Sequence, residues 1–156
     1  MSKSLTATLI LCTAICAGTA FAAGHAGNPA VTARKAHMQL YGHNLGILGG
    51  MARGNTEYNA EAASAAAANL AALAQLDQTS YWAPGTDSDA LPGESKALPA
   101  LWENIPDAIE KGQALATAAI ALSETAGTGL EAVQAGLGPV GRVCGQCHEA
   151  YQLSDN

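Results

Sequence analysis

The feature that most constrains this chain is a compact motif close to its end, Cys144-Gly145-Gln146-Cys147-His148. On a helix, residues that are three or four positions apart lie on the same face. Both cysteines can therefore serve one site, and a chain of 156 residues forms a single core in or on which that site must be built. What the two sulfurs and the histidine bind is thus the central question for both fold and function.

The first 22 residues have the pattern of an export signal. Lys3 supplies a positive charge, an apolar stretch follows, and Ala20-Phe21-Ala22 is a small-x-small cleavage pattern. We expect cleavage after Ala22, which leaves residues 23–156 as one domain. The apolar stretch is too short to be preferred as a spanning helix and no second one follows, so we expect no membrane span in the mature chain.

Cleavage also removes Cys12 and Cys16, so Cys144 and Cys147 are the only cysteines of the mature chain. A disulfide between these two would close a very small loop and would restrain little of the unfolded chain. A structural disulfide is therefore a poor explanation of the motif.

The mature chain is acidic. It keeps all 13 acidic residues and six of the seven basic ones, which leaves a formal charge of −7. This charge argues against nucleic acids and anionic membrane surfaces as partners. Alanine is abundant and the chain has only four tyrosines, two tryptophans and one phenylalanine, a composition that favours helices.

Four stretches have apolar residues at helical spacing, and we expect four helices. The first begins at Pro29, capped by Asn28, and ends near residue 50 or one turn later. The second runs from a Thr56 cap to about Asp77. The residues of the first helix that we expect to face inward are Val31, Met38, Tyr41, Leu45, Leu48 and Ala52.

The third helix is expected from about residue 98 to residue 123, with Pro106 in its first turns or at a kink. The fourth begins near Thr128 and carries both motif cysteines on its core-facing side. Between the second and third helices lie about twenty residues rich in glycine, proline, serine and aspartate. We expect this segment to be a crossover that packs along the bundle, anchored by Tyr81 and Trp82.

Three kinds of site use cysteines at this spacing. A redox dithiol needs a thioredoxin-like βαβ setting, and no strand pattern is present. A structural zinc site needs four ligands, and the chain has no second Cys-x-x-Cys and no His-x3-His pair. The third is the Cys-x-x-Cys-His site of a covalently attached haem, in which cysteines three apart on a helix reach two vinyl groups and His148 lies under the iron. Because this attachment takes place outside the bacterial inner membrane, the export signal agrees with it, and we predict one haem c and a periplasmic protein.

Three segments of the chain resemble the class II c-type cytochromes, the family of cytochrome c′ and of its low-spin relative cytochrome c-556. They are VGRVCGQCHEAY at residues 140–151, ARKAHMQLYGHNLGILGGMARG at residues 33–54 and LPALWENIPDA at residues 98–108. The resemblance covers essentially the whole mature chain. It implies an all-α fold, an antiparallel up-down-up-down four-helix bundle with covalently attached haem.

The resemblance also implies which residues hold the haem. Cys144 and Cys147 would bind it through thioethers, and His148 would be the fifth ligand of the iron. Met38 would lie over the opposite face of the haem and act as the sixth ligand, as in the low-spin relatives.

Further residues are assigned in the same way. Arg34 resembles the family arginine that lies near a haem propionate, and we expect Trp102 to pack beside the haem. Gln152 stands where many relatives carry a basic residue, so the sequence predicts no positive charge near the proximal side. His37 and His43 are rivals for the sixth position, but helical geometry turns them about 100° and 140° away from the methionine. We therefore expect both histidines to be exposed or at the rim.

With both axial positions filled, the chain is predicted to carry electrons between redox partner proteins of the periplasm. It carries no catalytic signature, so we expect no enzyme. If Met38 only packs, the iron is five-coordinate and high-spin, and an open distal site would bind NO or CO. The resemblance also implies a homodimer through the first two helices, although the alanines of the second helix would equally serve the core of a monomer.

Overall fold

The structure is a computed structural model that describes residues 27–154, and this part of the chain contains five α-helices. They are α1 (Pro29–Ala52), α2 (Ala60–Ala74), α3 (Ala100–Glu103), α4 (Ile105–Thr125) and α5 (Leu130–Tyr151). Short 3-10 turns occupy Thr79–Trp82 and Ala126–Thr128. None of the helices in this range is long and apolar enough to cross a membrane. The predicted export signal, residues 1–22, lies outside the described residues.

The four long helices, α1, α2, α4 and α5, form an antiparallel bundle in which each packs against the next along the chain and α5 packs against α1. Arg34, near the start of α1, bonds the carbonyl of Tyr81, which follows α2. Leu98, just before α3, bonds the carbonyl of Tyr151 at the end of α5. The start of α1, the end of α2, the start of α4 and the end of α5 therefore meet at one end, which we call the motif end. The predicted up-down-up-down four-helix bundle is confirmed.

The start of α1 is as predicted because its first residues supply their own cap. The Asn28 side chain accepts hydrogen bonds from the backbone N–H groups of Ala30, at 3.0 Å, and Val31, at 3.4 Å. Pro29 occupies the first helical position, where its missing N–H would have had no partner in the helix. A cap of this kind stabilises a helix by about 1 kcal/mol.

The start of α2 differs from the prediction. Thr56 does not cap it, because its backbone N–H bonds the carbonyl of Gly50 at 3.3 Å, in the turn that ends α1. Asn59 is the cap instead, and its side chain accepts a hydrogen bond of 2.8 Å from the N–H of Ala62. As a result α2 begins later, and also ends earlier, than the sequence predicts.

The predicted third helix is in fact two helices, α3 and α4, because the chain breaks at Asn104. This residue has φ −135° and ψ 50°, outside the helical region. Pro106 follows in the first turn of α4; it has no N–H with which to continue the hydrogen bonds of α3, and it restricts the residue before it. The predicted fourth helix is α5, which begins at Leu130 rather than near Thr128 because Gly129 is extended.

The core is built from branched apolar side chains and many alanines, which let the helices approach closely. Helices α4 and α5 come together at Gly136, where a Cβ atom would lie only 2.6 Å from Cδ1 of Leu122. A Cβ atom at position 136 would therefore force the Leu122 side chain of the neighbouring helix to shift. The largest fully buried side chains of residues 27–154 are Leu48, Leu70, Leu122, Val31, Val133 and Val140.

The crossover between α2 and α3, residues 75–99, packs on the bundle as predicted. The ring centroid of Tyr81 lies 5.6 Å from that of His37 on α1, and the centroid of Trp82 lies 6.4 Å from that of Trp102 on α3. Trp102 Nε1 also donates a hydrogen bond of 3.0 Å to the carbonyl of Trp82. Tyr81 and Trp82 are thus confirmed as the anchors of the crossover.

The last part of the crossover pairs with the end of α5. Ala97 and Gln152 form an isolated antiparallel β-bridge. Beside it, the N–H of Leu98 bonds the carbonyl of Tyr151 at 2.9 Å, and a second backbone hydrogen bond of 2.8 Å lies on the other side of the bridge. The crossover therefore closes the motif end of the bundle.

Candidate haem-binding site

The cysteine motif occupies the last two turns of α5. Cys144 and Cys147 are half-buried and form no disulfide, and His148 next to them is exposed. Cys144 packs against the buried core. A spacing of three residues puts the two cysteines on the same side of the helix. The structure thus brings the three predicted motif residues together at the motif end of the bundle.

Both thiols are held in their neutral form. Burial raises the pKa of Cys144, and the neighbouring Cys147 adds to the rise. Burial also raises the pKa of Cys147, where Lys111 opposes the rise and Asp107 adds to it. A redox-active Cys-x-x-Cys needs a lowered thiol pKa, so this environment does not suit a redox dithiol. A zinc site finds no ligand set either, because residues 27–154 contain no cluster of three or more His, Cys, Asp or Glu side chains that could hold a metal ion.

Three polar side chains, which we call the Asp107 cluster, join the last turn of α5 to α4. The hydroxyl of Tyr151 donates to one carboxylate oxygen of Asp107, and Lys111 Nζ lies 2.8 Å from the other. The contact with Lys111 lowers the pKa of Asp107, and the same contact raises the pKa of Lys111. The hydrogen bond to Asp107 raises the pKa of Tyr151 to about 12. The spacing of four residues between Asp107 and Lys111 is the sequence signal for this pair. Lys111 also corrects the expectation, based on Gln152, of no positive charge near the haem-binding histidine.

Arg34 is buried and bonds the crossover with both ends of its guanidinium. Nη1 donates to the carbonyl of Tyr81 at 3.1 Å and to the hydroxyl of Thr86 at 3.3 Å. Nη2 donates to the carbonyl of Thr86 and to the hydroxyl of Ser95, both at 2.9 Å. All four acceptors are neutral, so none of them balances the positive charge.

The charge of Arg34 has no counter-charge within residues 27–154, where it forms no ion pair. Its guanidinium carbon lies 4.8 Å from the ring centroid of Trp82 and 5.8 Å from that of Trp102, and aromatic faces attract a cation without neutralising it. Burial lowers the pKa of Arg34, although a guanidinium keeps its proton at any ordinary pH. Because buried charges are normally paired, this site suits an anion that is not part of the chain.

Met38 does not face the core as predicted. Its side chain is 38% exposed, whereas Arg34, His37 and Tyr41 on the same helix are all buried. The buried face of α1 includes polar side chains, which a hydropathy pattern assigns to the surface. Met38 lies about 100° around the helix from the buried His37. Met38 is therefore not core filler, and its thioether stays outside the protein interior on a helix that packs against α5.

Large apolar side chains are also exposed on α4, which packs against α5 as well. Ile105 is 38% exposed and Ile109 is 54% exposed, in the part of α4 that Asp107 bonds to the last turn of α5. The helix with the motif cysteines thus lies between two helices that each leave apolar surface in water. Exposed apolar side chains on the two helices beside α5 suit an apolar cofactor held by α5, which would remove them from water.

His37 is buried, which corrects the prediction of an exposed or rim position, whereas His43 is exposed as predicted. The ring of His37 packs edge-on against Tyr41, with centroids 4.6 Å apart. Within residues 27–154, His37 Nε2 and the Tyr41 hydroxyl are both buried without a hydrogen-bond partner. Burial lowers the pKa of His37, and burial raises the pKa of Tyr41 to about 12, an effect that the nearby Gln78 side chain partly offsets.

These features fit a covalently attached haem. Two free thiols at the required spacing lie on one helix, and a buried guanidinium without a counter-ion suits a propionate. The exposed apolar side chains on α1 and α4 suit the faces of a porphyrin. His148 and Met38 both remain accessible, and imidazole and thioether are the axial ligands of many electron-transfer cytochromes c.

Comparison with known proteins agrees with this fit. The family model for cytochrome c′ matches residues 29–152. The chain is 38% identical to cytochrome c-554 of Cereibacter sphaeroides over 125 residues, which are 80% of this chain and 81% of that protein. It is 29% identical to cytochrome c-556 of Agrobacterium fabrum over 151 residues, which are 97% of this chain and 95% of that protein.

Solved structures share the fold. A cytochrome c′ from Rhodobacter Spheriodes has a TM-score of 0.78 and 35% identity, over 81% of this chain and 96% of that chain. Another cytochrome c′, described as having an unusual ligand-controlled dimer dissociation, has a TM-score of 0.72 and 31% identity, over 80% of this chain and 95% of that chain. The family match spans the whole bundle and includes the cysteine motif. The chain therefore belongs to the cytochrome c′ family, the class II c-type cytochromes, which carry a covalently bound haem c.

Proposed function

We propose that the protein is a low-spin electron carrier in which Cys144 and Cys147 hold the haem, and His148 and Met38 bind the iron from opposite sides. A bound haem supplies a one-electron couple between ferric and ferrous iron. The residues of the chain hold the cofactor, fill both axial positions and keep other ligands away. One electron enters from a donor protein and leaves to an acceptor protein, with no bond made or broken.

The exposure of Met38 is the observation that carries this proposal. A methionine that only filled the core would be buried like Met51, which lies on the same helix and is 5% exposed. Met38 is 38% exposed on a helix that packs against α5, so its sulfur is free to bind a metal. Of the rival ligands on α1, His37 is held against Tyr81, and His43 lines a groove between α1 and α2.

Arg34 and Trp102 complete the proposed site. The buried guanidinium of Arg34 forms no ion pair within residues 27–154, and a haem propionate would supply the missing negative charge. The indole of Trp102 is fixed by its hydrogen bond to the crossover and lies beside that guanidinium. Its ring would pack against the cofactor at the same end of the bundle.

Location and partners follow from the same proposal. Two filled axial positions leave no place for a substrate, so we expect no enzymatic activity. The matched relatives come from bacteria, and the sequence has the pattern of an export signal, so we assign the protein to the periplasm. A mature chain with a formal charge of −7 suits redox partner proteins that present basic patches.

The substitution Met38→Leu tests the sixth ligand. We expect the variant to lose that ligand, so that the ferric and ferrous optical spectra change from low-spin to high-spin and the weak far-red sulfur-to-iron band disappears. Met51→Leu is the matched control, because it removes a buried thioether from the same helix with little change in volume and should leave the spectra unchanged. A Met38→Leu variant with the wild-type low-spin spectrum would contradict the proposal.

A gas-binding cytochrome c′ is the alternative, and the similar protein with the ligand-controlled dimer favours it. In that case Met38 only packs, the iron is five-coordinate and high-spin, and the distal site binds NO or CO. Adding CO to the ferrous wild-type protein separates the two functions. A broad high-spin spectrum that shifts at once with CO supports gas binding, whereas a sluggish response supports the electron carrier.

We also propose that two copies of the chain pair through α1 and α2. Leu40 and Leu76 are 50% and 52% exposed, and both line the groove between these two helices. Exposed leucines on α1 and just beyond the end of α2 lose water contact when a second copy covers them. The similar cytochrome c′ that is described as a dimer supports this assembly.

A further inference from the structure

The Asp107 cluster lies beside the haem-binding turn of α5 and has no role in the function proposed so far. Tyr151 follows Cys147 by four residues and His148 by three, so its side chain is a neighbour of both on the helix surface. Its hydroxyl donates to Asp107, and Asp107 also bonds Lys111 at 2.8 Å. One negative and one positive group are thereby fixed one side chain away from the residues that would hold the haem.

The two charges act on this position in opposite directions. Tyr151 lies one helical turn after Cys147 and bonds Asp107, which in turn bonds Lys111, so both charges lie on the side of α5 that carries Cys147. A haem edge bonded to the Cys147 sulfur would be subject to the same two charges.

Partial burial makes these charges stronger than others nearby. The side chains of Lys111 and Asp107 are 23% and 35% exposed, so water and salt screen them incompletely. The charged residues Arg142 and Glu149, which flank the motif on α5, are exposed, so solvent screens their charges. The charges of the Asp107 cluster are therefore screened less than the two charges that flank the motif on α5.

We propose that Asp107 and Lys111 set the reduction potential of the haem through their opposed charges, and that Tyr151 is a positioning residue that holds the carboxylate. Ferric haem carries one more positive charge than ferrous haem. A nearby carboxylate favours the ferric form and lowers the potential, whereas a nearby ammonium favours the ferrous form and raises it. The inference rests on the proposed haem attachment at Cys147, but not on which residue is the sixth ligand.

Potentiometric titration of the haem-loaded protein tests this inference. We expect Asp107→Asn to raise the potential, because it leaves the ammonium of Lys111 unopposed. Lys111→Met should lower the potential, because it leaves the carboxylate of Asp107 unopposed. The double variant should return towards the wild-type value, and Lys111→Arg, which keeps the charge, should stay close to it.

Tyr151→Phe tests the positioning role. Loss of the hydroxyl leaves one of the two carboxylate oxygens without its hydrogen-bond donor and so strengthens the negative charge of Asp107. Because Lys111 still bonds the other oxygen, the potential should fall by less than it does in Lys111→Met. An unchanged potential would remove Tyr151 from the proposal. Urea unfolding of each variant reports any loss of stability separately from the potential.

Two charges at the opposite end of the bundle provide matched controls. Glu131, in the first turn of α5, lies about 24 Å along the helix axis from Cys147. Arg53 ends α1 at the same far end, where Gln134 bonds the carbonyl of Ala52. Glu131→Gln and Arg53→Met should leave the potential almost unchanged.

The sign of the shifts decides the outcome. A cluster that only braced the helices would move the potential in the same direction in Asp107→Asn and Lys111→Met, or by no more than the controls do, and either result overturns the inference. Failure of the Met38 proposal is a separate result, because it would appear in the optical spectra and would leave the opposed signs unchanged.

Discussion

Arg34 is the residue on which the motif end of the bundle most depends. Its side chain makes four hydrogen bonds to three crossover residues. Two of the acceptors are backbone carbonyls that have no other partner when the guanidinium is removed. The Arg34 side chain therefore fixes the position of the crossover relative to α1. Met38 lies one helical turn further along α1.

Replacing Arg34 with methionine should lower the free energy of unfolding of the haem-loaded protein by about 3 kcal/mol. Charge-assisted hydrogen bonds contribute about 1.5–3 kcal/mol, and each buried carbonyl left unpaired costs about 1–3 kcal/mol. Urea unfolding measures the loss, and Arg53→Met is the control, because an exposed side chain should change stability by less than about 0.5 kcal/mol. A loss for Arg34→Met no larger than that of the control would show that these bonds do not hold the crossover.

Helix α1 also shows which residue positions could not be predicted from the sequence. The motif Cys144, Cys147 and His148 could be found from the sequence because its chemistry is local. The orientation of Met38 could not, because an apolar repeat of seven residues suggested an inward position. The buried face of α1 instead includes the polar residues Arg34 and His37. Contacts with the crossover, which exist only in the folded protein, decide that these two side chains are buried.

At the scale of elements, the packing of α4 on α5 sets limits that helix propensity does not. Gly136 lies inside α5, where alanine would ordinarily stabilise the helix by about 1 kcal/mol. A Cβ atom at this position would meet the side chain of Leu122, which is 1% exposed and would have to shift. The close approach of α4 and α5 therefore favours glycine over alanine at position 136.

Gly136→Ala should destabilise the protein by about 1 kcal/mol, because overpacking costs about 1–3 kcal/mol and exceeds the gain in helix propensity. Gly46→Ala on α1 is the matched control, since a Cβ atom there meets nothing within 4 Å. That variant should be more stable than the wild type by about 0.5–1 kcal/mol. Thermal unfolding compares the two, and stabilisation of both variants would contradict the packing described for α4 and α5.

The ends of the elements were predicted well only where the cap is local. The start of α1 is fixed by Asn28 and Pro29 themselves, and it was found correctly. Thr56 and Asn59 are both good caps, and the choice between them is made by the hydrogen bond of Thr56 to the turn that ends α1. The break at Asn104 was missed for a related reason: Pro106 permits either a continuous first turn or a separate helix, and only the tertiary structure decides.

At the scale of the whole molecule, the acidic chain is proposed to act as a pair. The double substitution of Leu40 and Leu76 by glutamate should abolish pairing, because it puts four like charges into one interface. Sedimentation of the haem-loaded protein should then change from a dimer to a monomer at concentrations where the wild type is fully paired. Ile120→Glu on α4, at a residue that is 37% exposed, is the control and should leave the mass unchanged. A wild type that sediments as a monomer at every concentration would exclude the homodimer.

The two ends of the bundle are closed in different ways. The far end is closed by short turns, with the Tyr58 hydroxyl bonded to the carbonyl of Ala126 at 3.0 Å. The motif end is closed by the crossover, through Arg34 and Ser95, which are 61 positions apart, and through the bridge between Ala97 and Gln152. Closing a loop of that length costs on the order of 4 kcal/mol in chain entropy.

The entropy of the unfolded chain suggests a second role for the cofactor, in stability. A haem bonded through sulfur to Cys144 and through iron to Met38 would join α1 and α5 directly, across nearly the whole length of the domain. In polymer terms it is a cross-link between distant points of the chain, which lowers the entropy of the unfolded polypeptide. The group that stores the electron would then also stabilise the compact form of the polypeptide that carries it.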